Sequence, residues 1–374
     1  MWRKACLTVH LWVGLTLGAL AAVSGLSGSA MVFGPELEAW LHPHAWHAAP
    51  HAPNTKPVGM QAAADALRQA HPTSQLQFIR TPLHADGVYE AWLDEGALRV
   101  TIDPYSGHVL SSHHATQSLL GWMYFLHTEL FSSERGAIIM GWGGIGLFVL
   151  SLTGIVVWWP RKGNWRAAVS WQTRTVRRPG YQLHRFVGWL ASLFLCIISM
   201  SGVALVFPEI TTRVLESVFE KPQGAKPKSR AQKSAPDISL DAAISSAQQV
   251  LPGARVTRVA PPTKASAPIV VRLKFPAEIH PNGQSNVFID RHSGRVLRAD
   301  DARTAPQSAR LMNLRYPLHI GRWGGNVSRV LHALLGFVPA VLYITGLLMW
   351  GSRLRGRRKA QRVRQERAAL AEVV

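Results

Sequence analysis

Four stretches of this chain are long and apolar enough to cross a bilayer, and nothing else in it limits the fold as strongly. Inside hydrocarbon every backbone N–H and C=O needs a partner from its own segment or from a closed barrel, so apolar runs of roughly 20 residues are read as helices. The runs lie at 7–33, 138–159, 184–207 and 329–350. The first exceeds the apolar part of a typical signal peptide, and the chain continues past Ala30 as MVFGPELE. It is therefore read as a retained span.

Lys and Arg near the span ends set the expected orientation. Arg3 and Lys4 precede the first span. Arg161, Lys162, Arg166, Arg174, Arg177 and Arg178 lie between the second and third without an acidic residue. Arg353, Arg355, Arg357, Arg358, Lys359, Arg362, Arg364 and Arg367 follow the fourth. Both termini and the middle loop are thus expected in the cytoplasm of a bacterial inner membrane, with 35–137 and 208–328 in the periplasm. The formal net charge of +20 and the pI near 11.0 then report topology and contact with anionic lipid heads. A nucleic-acid partner is not expected, because the charge borders the spans. The two cysteines, Cys6 and Cys196, lie in or beside apolar runs and suggest neither a disulfide framework nor a thiolate metal site.

The outside segments have a local logic of their own. AADALRQAH (63–71) and LDAAISSAQQV (240–250) have the period of short amphipathic helices. ALRVTIDPYSGHVLSS (97–112) and SNVFIDRHSGRVLRA (285–299) read as hairpins turning at Gly107 and Gly294. KPQGAKPKSRAQKSAP (221–236) reads as a Pro/Lys/Ser linker.

The chain also repeats itself. HLWVG at 10–14 matches HRFVG at 184–188, an offset of 174 that also carries Ser27-Gly28 onto Ser201-Gly202 and Val32-Phe33 onto Val206-Phe207. DPYSGHVL (103–110) matches DRHSGRVL (290–297), and YFLH (124–127) matches YPLH (316–319). LTGIVVWW (152–159) matches ITGLLMWG (344–351), at an offset of 192. One unit of span, outside module, histidine-bearing lead-in and span thus occurs twice in one orientation, which implies a pseudo-two-fold axis along the membrane normal. The fold class expected is an α-helical membrane protein with four transmembrane helices from a duplicated parallel unit and two periplasmic α+β modules. Its segments are helix 1 at 1–34, module 1 with its lead-in at 35–137, helix 2 at 138–160 and a cytoplasmic loop at 161–183. Then come helix 3 at 184–207, module 2 with its linker at 208–328, helix 4 at 329–351 and a basic tail at 352–374.

The histidine-headed first span, the IDPYSGHVL module and the LTGIVVWWPR ending resemble the PepSY-associated transmembrane family over nearly the whole chain in two copies. Within it the chain is most similar to bacterial inner-membrane ferric-siderophore reductases of the ferrioxamine type. The resemblance implies haem-bearing helices, two haem b groups, and periplasmic reduction of iron for iron acquisition, with a ferric siderophore as substrate. No G-x-G-x-x-G follows a strand. The electron donor is therefore expected to be a separate cytoplasmic reductase or a membrane quinol.

Histidines inside a span are functional candidates by default. A single histidine at the interface is ordinarily a capping or snorkelling group. His10 and His184 stand in register at the same depth of two copies, however, and are expected to clasp one haem iron from opposite sides. A second haem toward the outside draws on His127, His319 and His332. Three pairings stay open: His127 with His332, His127 with His319, and His332 with Met140, whose ordinary role is packing. His319 and His332 are treated as lying on one continuous helix, too far apart for one iron. Trp122, Tyr124, Arg322 and Trp323 are the substrate-side candidates, near His127. The glycines of the spans suit close helix packing, or room for a porphyrin. The tryptophans suit an aromatic belt, and the tract HPHAWHAAPH (42–51) suits a divalent metal only on composition. Two alternatives remain beside the reductase: a non-enzymatic regulator that binds through its outside modules, and a transporter of siderophore or metal. The spans hold no acidic residue, which argues against a cation-coupled transporter.

Overall fold

The computed structural model describes all residues except 53, 83, 85, 161, 162, 170–178, 222, 223, 225, 226, 230–235 and 372–374. Arg161, Lys162, Arg174, Arg177 and Arg178 of the expected inner loop, and much of the linker 221–236, lie outside the described residues. The helices are α1 (Trp2–Met31), α2 (Gly34–Leu41), α3 (Pro43–Trp46), α4 (Met60–Ala70), α5 (Leu119–Glu129) and α6 (Ser133–Trp158). They continue as α7 (Trp165–Val169), α8 (Pro179–Val206), α9 (Pro208–Val218), α10 (Leu240–Val250), α11 (Gln307–His319) and α12 (Gly325–Ala371). The strands are β1 (Leu76–Arg80), β2 (Tyr89–Leu93), β3 (Leu98–Ile102), β4 (Val109–His114), β5 (Arg255–Ala260), β6 (Ile269–Lys274), β7 (Ser285–Ile289) and β8 (Val296–Asp300). The chain divides into a helical unit (Met1–Ser29, Leu126–Val206 and Val330–Val374) and a strand-bearing unit (Ala30–Phe125 and Phe207–Arg329).

In the helical unit, α1, α6, α8 and α12 each carry a window apolar enough to cross a membrane, with mean hydropathy between 1.8 and 2.2. This is a multi-pass membrane protein. Glycines let the helices approach closely. Leu17 and Leu20 of α1 cover Gly146 and Gly143 of α6. Gly25 of α1 and Gly336 of α12 are so close that a Cβ on either would strike the other's carbonyl oxygen. Val203 of α8 covers Gly144 of α6, and Ala191 and Leu195 of α8 pack on Leu335 of α12. Large apolar side chains such as Trp142, Leu193, Leu334 and Phe337 are left exposed, as lipid-facing surfaces require. The glycines therefore serve packing, with three exceptions beside histidines that are described below.

Two local outcomes differ from expectation. His319 and His332 do not share a continuous helix. The chain breaks between α11 and α12, where Gly321 and Gly325 take φ of +71° and +65°. A Cβ would strain that backbone. The basic tail, in turn, is not a separate segment: α12 runs on through it to Ala371. Its Arg, Lys, Gln, Glu and Ala residues are good helix formers, and past Gly356 no Gly or Pro interrupts them.

The strand-bearing unit holds one antiparallel sheet of eight strands in the order β4-β3-β2-β1-β5-β6-β7-β8. The two expected modules, each with a helix and four strands, share this sheet because β1 pairs with β5 at Ile79↔Val259 and Arg80↔Arg258. On one face Ile79, Ala91, Val100, Val259, Val271 and Val287 are fully buried beneath Leu67 of α4 and Ala243 and Ala247 of α10. The two helices exchange caps. Asp241 of α10 accepts from the N–H of Met60 (2.7 Å), and Gln61 Oε1 of α4 accepts from the N–H of Leu240 (3.0 Å). The repeated hairpins turn on matching aspartates. Asp103 accepts from the N–H of Tyr105 and Ser106, and Asp290 from that of His292 and Ser293.

Candidate functional site

His10 on α1 and His184 on α8 meet inside the helical unit, with ring centres 6.2 Å apart and planes at 85°. α8 starts at Pro179, a residue preformed for the first helical turn, so His184 lies within the helix and not at its start. Each ring is held by the threonine of the repeated Thr-Gly pair. His10 Nδ1 lies 3.0 Å from Thr153 Oγ1, and His184 Nδ1 lies 2.9 Å from Thr345 Oγ1. Both hydroxyls already donate backward along their helices, Thr153 to the carbonyl of Val149 (2.6 Å) and Thr345 to that of Val341 (2.7 Å). Each threonine is therefore the acceptor at its histidine, so Nδ1 carries the ring proton and Nε2 carries the lone pair. The adjacent glycines, Gly154 and Gly346, sit against Cε1 of His10 and His184, where a Cβ would lie 3.4 Å and 3.7 Å away.

This donor set fits a bis-histidine metal centre. Two imidazoles sharing one ion through nitrogens at about 2 Å, each ring centre roughly 1 Å behind its nitrogen, stand about 6 Å apart. The observed separation agrees. A hydrogen bond from the second ring nitrogen, which fixes tautomer and orientation, is the usual companion of metal-binding histidine, and both rings have one.

The second group of histidines is divided. His127 and His332 belong to the helical unit, whereas His319 ends α11 in the strand-bearing unit. His127 Nδ1 lies 2.9 Å from the carbonyl of Ser24 and 3.2 Å from Ser27 Oγ, so it donates to α1. Its Cε1 rests on Gly28, where a Cβ would be 2.9 Å from it. Ser29, one residue on, donates to the carbonyl of Ala333, the neighbour of His332. α1 thus contacts His127 and the His332 turn through the same Ser/Gly stretch. Met140 is buried on α6.

Of the substrate-side candidates, Trp122, Tyr124 and Trp323 are exposed and belong to the strand-bearing unit. The guanidinium of Arg99 lies 5.9 Å from the ring centre of Tyr124. Arg322 is partly buried, and burial, then the charge of Arg329, lowers its pKa. In the tract 42–51, His51 stacks on Tyr105 at 3.5 Å and His47 lies 3.9 Å from Asp86. Among the described residues, no three His, Cys, Asp or Glu side chains gather there or elsewhere as a metal cluster.

Thr153 and Thr345 were not singled out from the sequence, although the Thr-Gly repeat at offset 192 contained the signal. The tryptophans also do more than line an interface. Trp158 stacks on Trp189 with centres 5.3 Å apart, and Trp165 lies 6.0 Å from Trp158 and 5.1 Å from Trp159.

Comparison with protein families matches residues 7–353 to the family described as the PepSY-associated TM region. No curated protein sequence matches the chain.

Proposed function

Because this chain belongs to the PepSY-associated transmembrane family, we propose that it is a haem b-dependent oxidoreductase that carries electrons across a bacterial inner membrane and reduces a ferric siderophore in the periplasm. The observation that carries the proposal is the pair His10 and His184, 6.2 Å apart, each oriented through Nδ1 by a threonine. Haem b held there by His10 and His184 would supply a one-electron iron couple suited to passing electrons.

The residues of the chain do the rest. His10 and His184 present neutral nitrogens from two helices, and Thr153 and Thr345 hold their tautomers. A second haem draws on His127, anchored on Ser24, with His332, or on His332 with Met140, all of the helical unit. The Lys and Arg beside the spans support cytoplasmic termini and a periplasmic strand-bearing unit. The donor is a separate cytoplasmic reductase or a membrane quinol, since the sequence has no dinucleotide fingerprint. The ferric siderophore takes up one electron, and its hard oxygen ligands hold Fe(II) less tightly than Fe(III).

A visible spectrum of the purified protein is the direct test. A reduced-minus-oxidised haem b signal that falls in His10→Ala and His184→Ala supports the proposal, as does reoxidation of the dithionite-reduced protein by ferric siderophore. Normal iron release by a haem-free variant refutes it, and no haem signal after expression with adequate haem favours a non-enzymatic regulator.

A further inference from the structure

The sheet of the strand-bearing unit has a second face, opposite α4 and α10, and its centre carries a row of arginines. Arg80 on β1 pairs directly with Arg258 on β5, and Arg258 pairs directly with Arg272 on β6. Each alternates with a buried apolar neighbour, Ile79, Val259 or Val271, so all three point the other way. Directly paired residues on neighbouring strands have Cβ atoms about 5 Å apart, and like charges at that spacing destabilise a sheet.

Among the described residues the carboxylates that act on this row are Glu90 and Glu278. Arg80 is bonded to Glu90 at 2.8 Å. Arg272 has a neutral partner, Asn286 Oδ1, at 3.2 Å. Among the described residues no carboxylate is bonded to Arg258, whose guanidinium lies 4.6 Å from the ring centre of Phe78. Burial, then Arg272 and Arg80, lower the Arg258 pKa to about 10. The surroundings add cations: Lys274 and Arg315 act with Arg272 and Arg258 on the ring of His280, and Arg322 acts with Arg80. Glu90 is shared by Arg80 and Trp92 Nε1 (2.7 Å), and Glu278, whose charge acts on Arg272, is bonded to the N–H groups of Phe275 (2.7 Å) and Gln284 (2.8 Å) and to no arginine of the row.

A partly buried row of like charges costs stability unless a counter-charge joins it. Guanidinium forks match planar anionic oxygens, two hydrogen bonds at a time. We infer that Arg258 and Arg272, with Arg80, form the binding site for a ferric chelate of net negative charge, whose carboxylate or catecholate oxygens they engage. The inference rests on the reductase proposal for its substrate and narrows it. Three hydroxamates cancel the ferric charge, so a trihydroxamate with a free ammonium group is cationic, and the row repels it. The substrate class therefore differs from that of the ferrioxamine-type reductases the sequence resembles.

Anionic lipid heads share this chemistry, so the test uses full-length protein in nanodiscs of phosphatidylcholine alone and of phosphatidylcholine with phosphatidylglycerol. Dithionite supplies the electron, excess is removed, and reoxidation is followed with ferric citrate or with an amine-bearing ferric trihydroxamate; either chelate takes up one electron and becomes ferrous. The wild type to Arg258→Gln/Arg272→Gln comparison cancels the difference in potential between the chelates. The citrate-to-trihydroxamate rate ratio should fall by about tenfold or more in the double variant, with its haem spectrum intact and its melting temperature not lowered. An unchanged ratio overturns the inference. So does a wild-type ratio that collapses to that of the double variant once phosphatidylglycerol is added, which assigns the row to lipid heads. If neither chelate reoxidises the wild type, the reductase proposal fails by itself. Equilibrium binding of ferric citrate then decides the inference: weaker binding by the double variant upholds it, and equal binding overturns it.

Discussion

Thr153 Oγ1 accepts a hydrogen bond from His10 Nδ1 at 3.0 Å, because its own proton is already given to the carbonyl of Val149. Thr153→Val keeps the shape and removes the acceptor. Haem affinity is expected to fall about 10–100-fold, the usual effect of losing such a partner, with a shifted midpoint potential. Thr153→Ser is expected to restore both. Haem titration and a potentiometric titration of the two variants check this.

Gly28 lies under the imidazole of His127, with a Cβ position 2.9 Å from Cε1. If the chain holds the two haem groups proposed, Gly28→Ala is expected to displace His127 and lower haem content toward one, with the component assigned to His10 and His184 persisting. Pyridine haemochrome quantification against protein concentration reads the ratio. Unchanged content would remove His127 from the proposed ligands.

Asp241 supplies to α4 the cap that its own N-cap residue, Gly59, has no side chain to give. Asp241→Ala leaves the first-turn N–H groups of Met60 and Gln61 without that acceptor. A loss of about 1–2 kcal/mol is expected, read as a lower melting temperature for the strand-bearing unit with the haem spectrum unchanged.

His280 is buried, and burial, with the charges of Arg272, Lys274, Arg315 and Arg258, holds its pKa at about 3. An unfolded histidine titrates near 6.5. Between those values the unfolded chain binds a proton that the folded chain refuses, so the stability of this unit falls as pH drops from about 6.5 toward 3. His280→Asn is expected to flatten that stretch of the profile. Denaturant melts at several pH values measure it.

Much of the helical unit can be read from the sequence because matching residues repeat at two fixed offsets. The interval of 174 puts His10 and His184 on equivalent helices, and the interval of 192 puts Thr153 and Thr345 where equivalent rings need them. The paired hairpins are legible from their Asp and Gly residues. The joining of β1 to β5 is not, because strand pairing depends on partners brought together across a long loop, and neither LQFIR nor RVTRVA encodes its neighbour. The break between α11 and α12 is hidden for a different reason. Leu318, His319 and Ile320 continue a helical pattern, and only the left-handed backbone at Gly321 and Gly325 shows where the chain turns. The exchange of caps between Asp241 and Gln61 needs both helices side by side before either residue has a partner.

The Arg80–Arg258 pair lies at the seam where two copies of one ancestral unit meet. Half of this chain would end its sheet on a bare β1 edge, with one imidazole where the proposed centre takes two. A protein built from a single copy could regain either only by self-association. Duplication within one chain makes that partnership permanent, and it lets the two sides of the seam diverge in charge without having to match themselves.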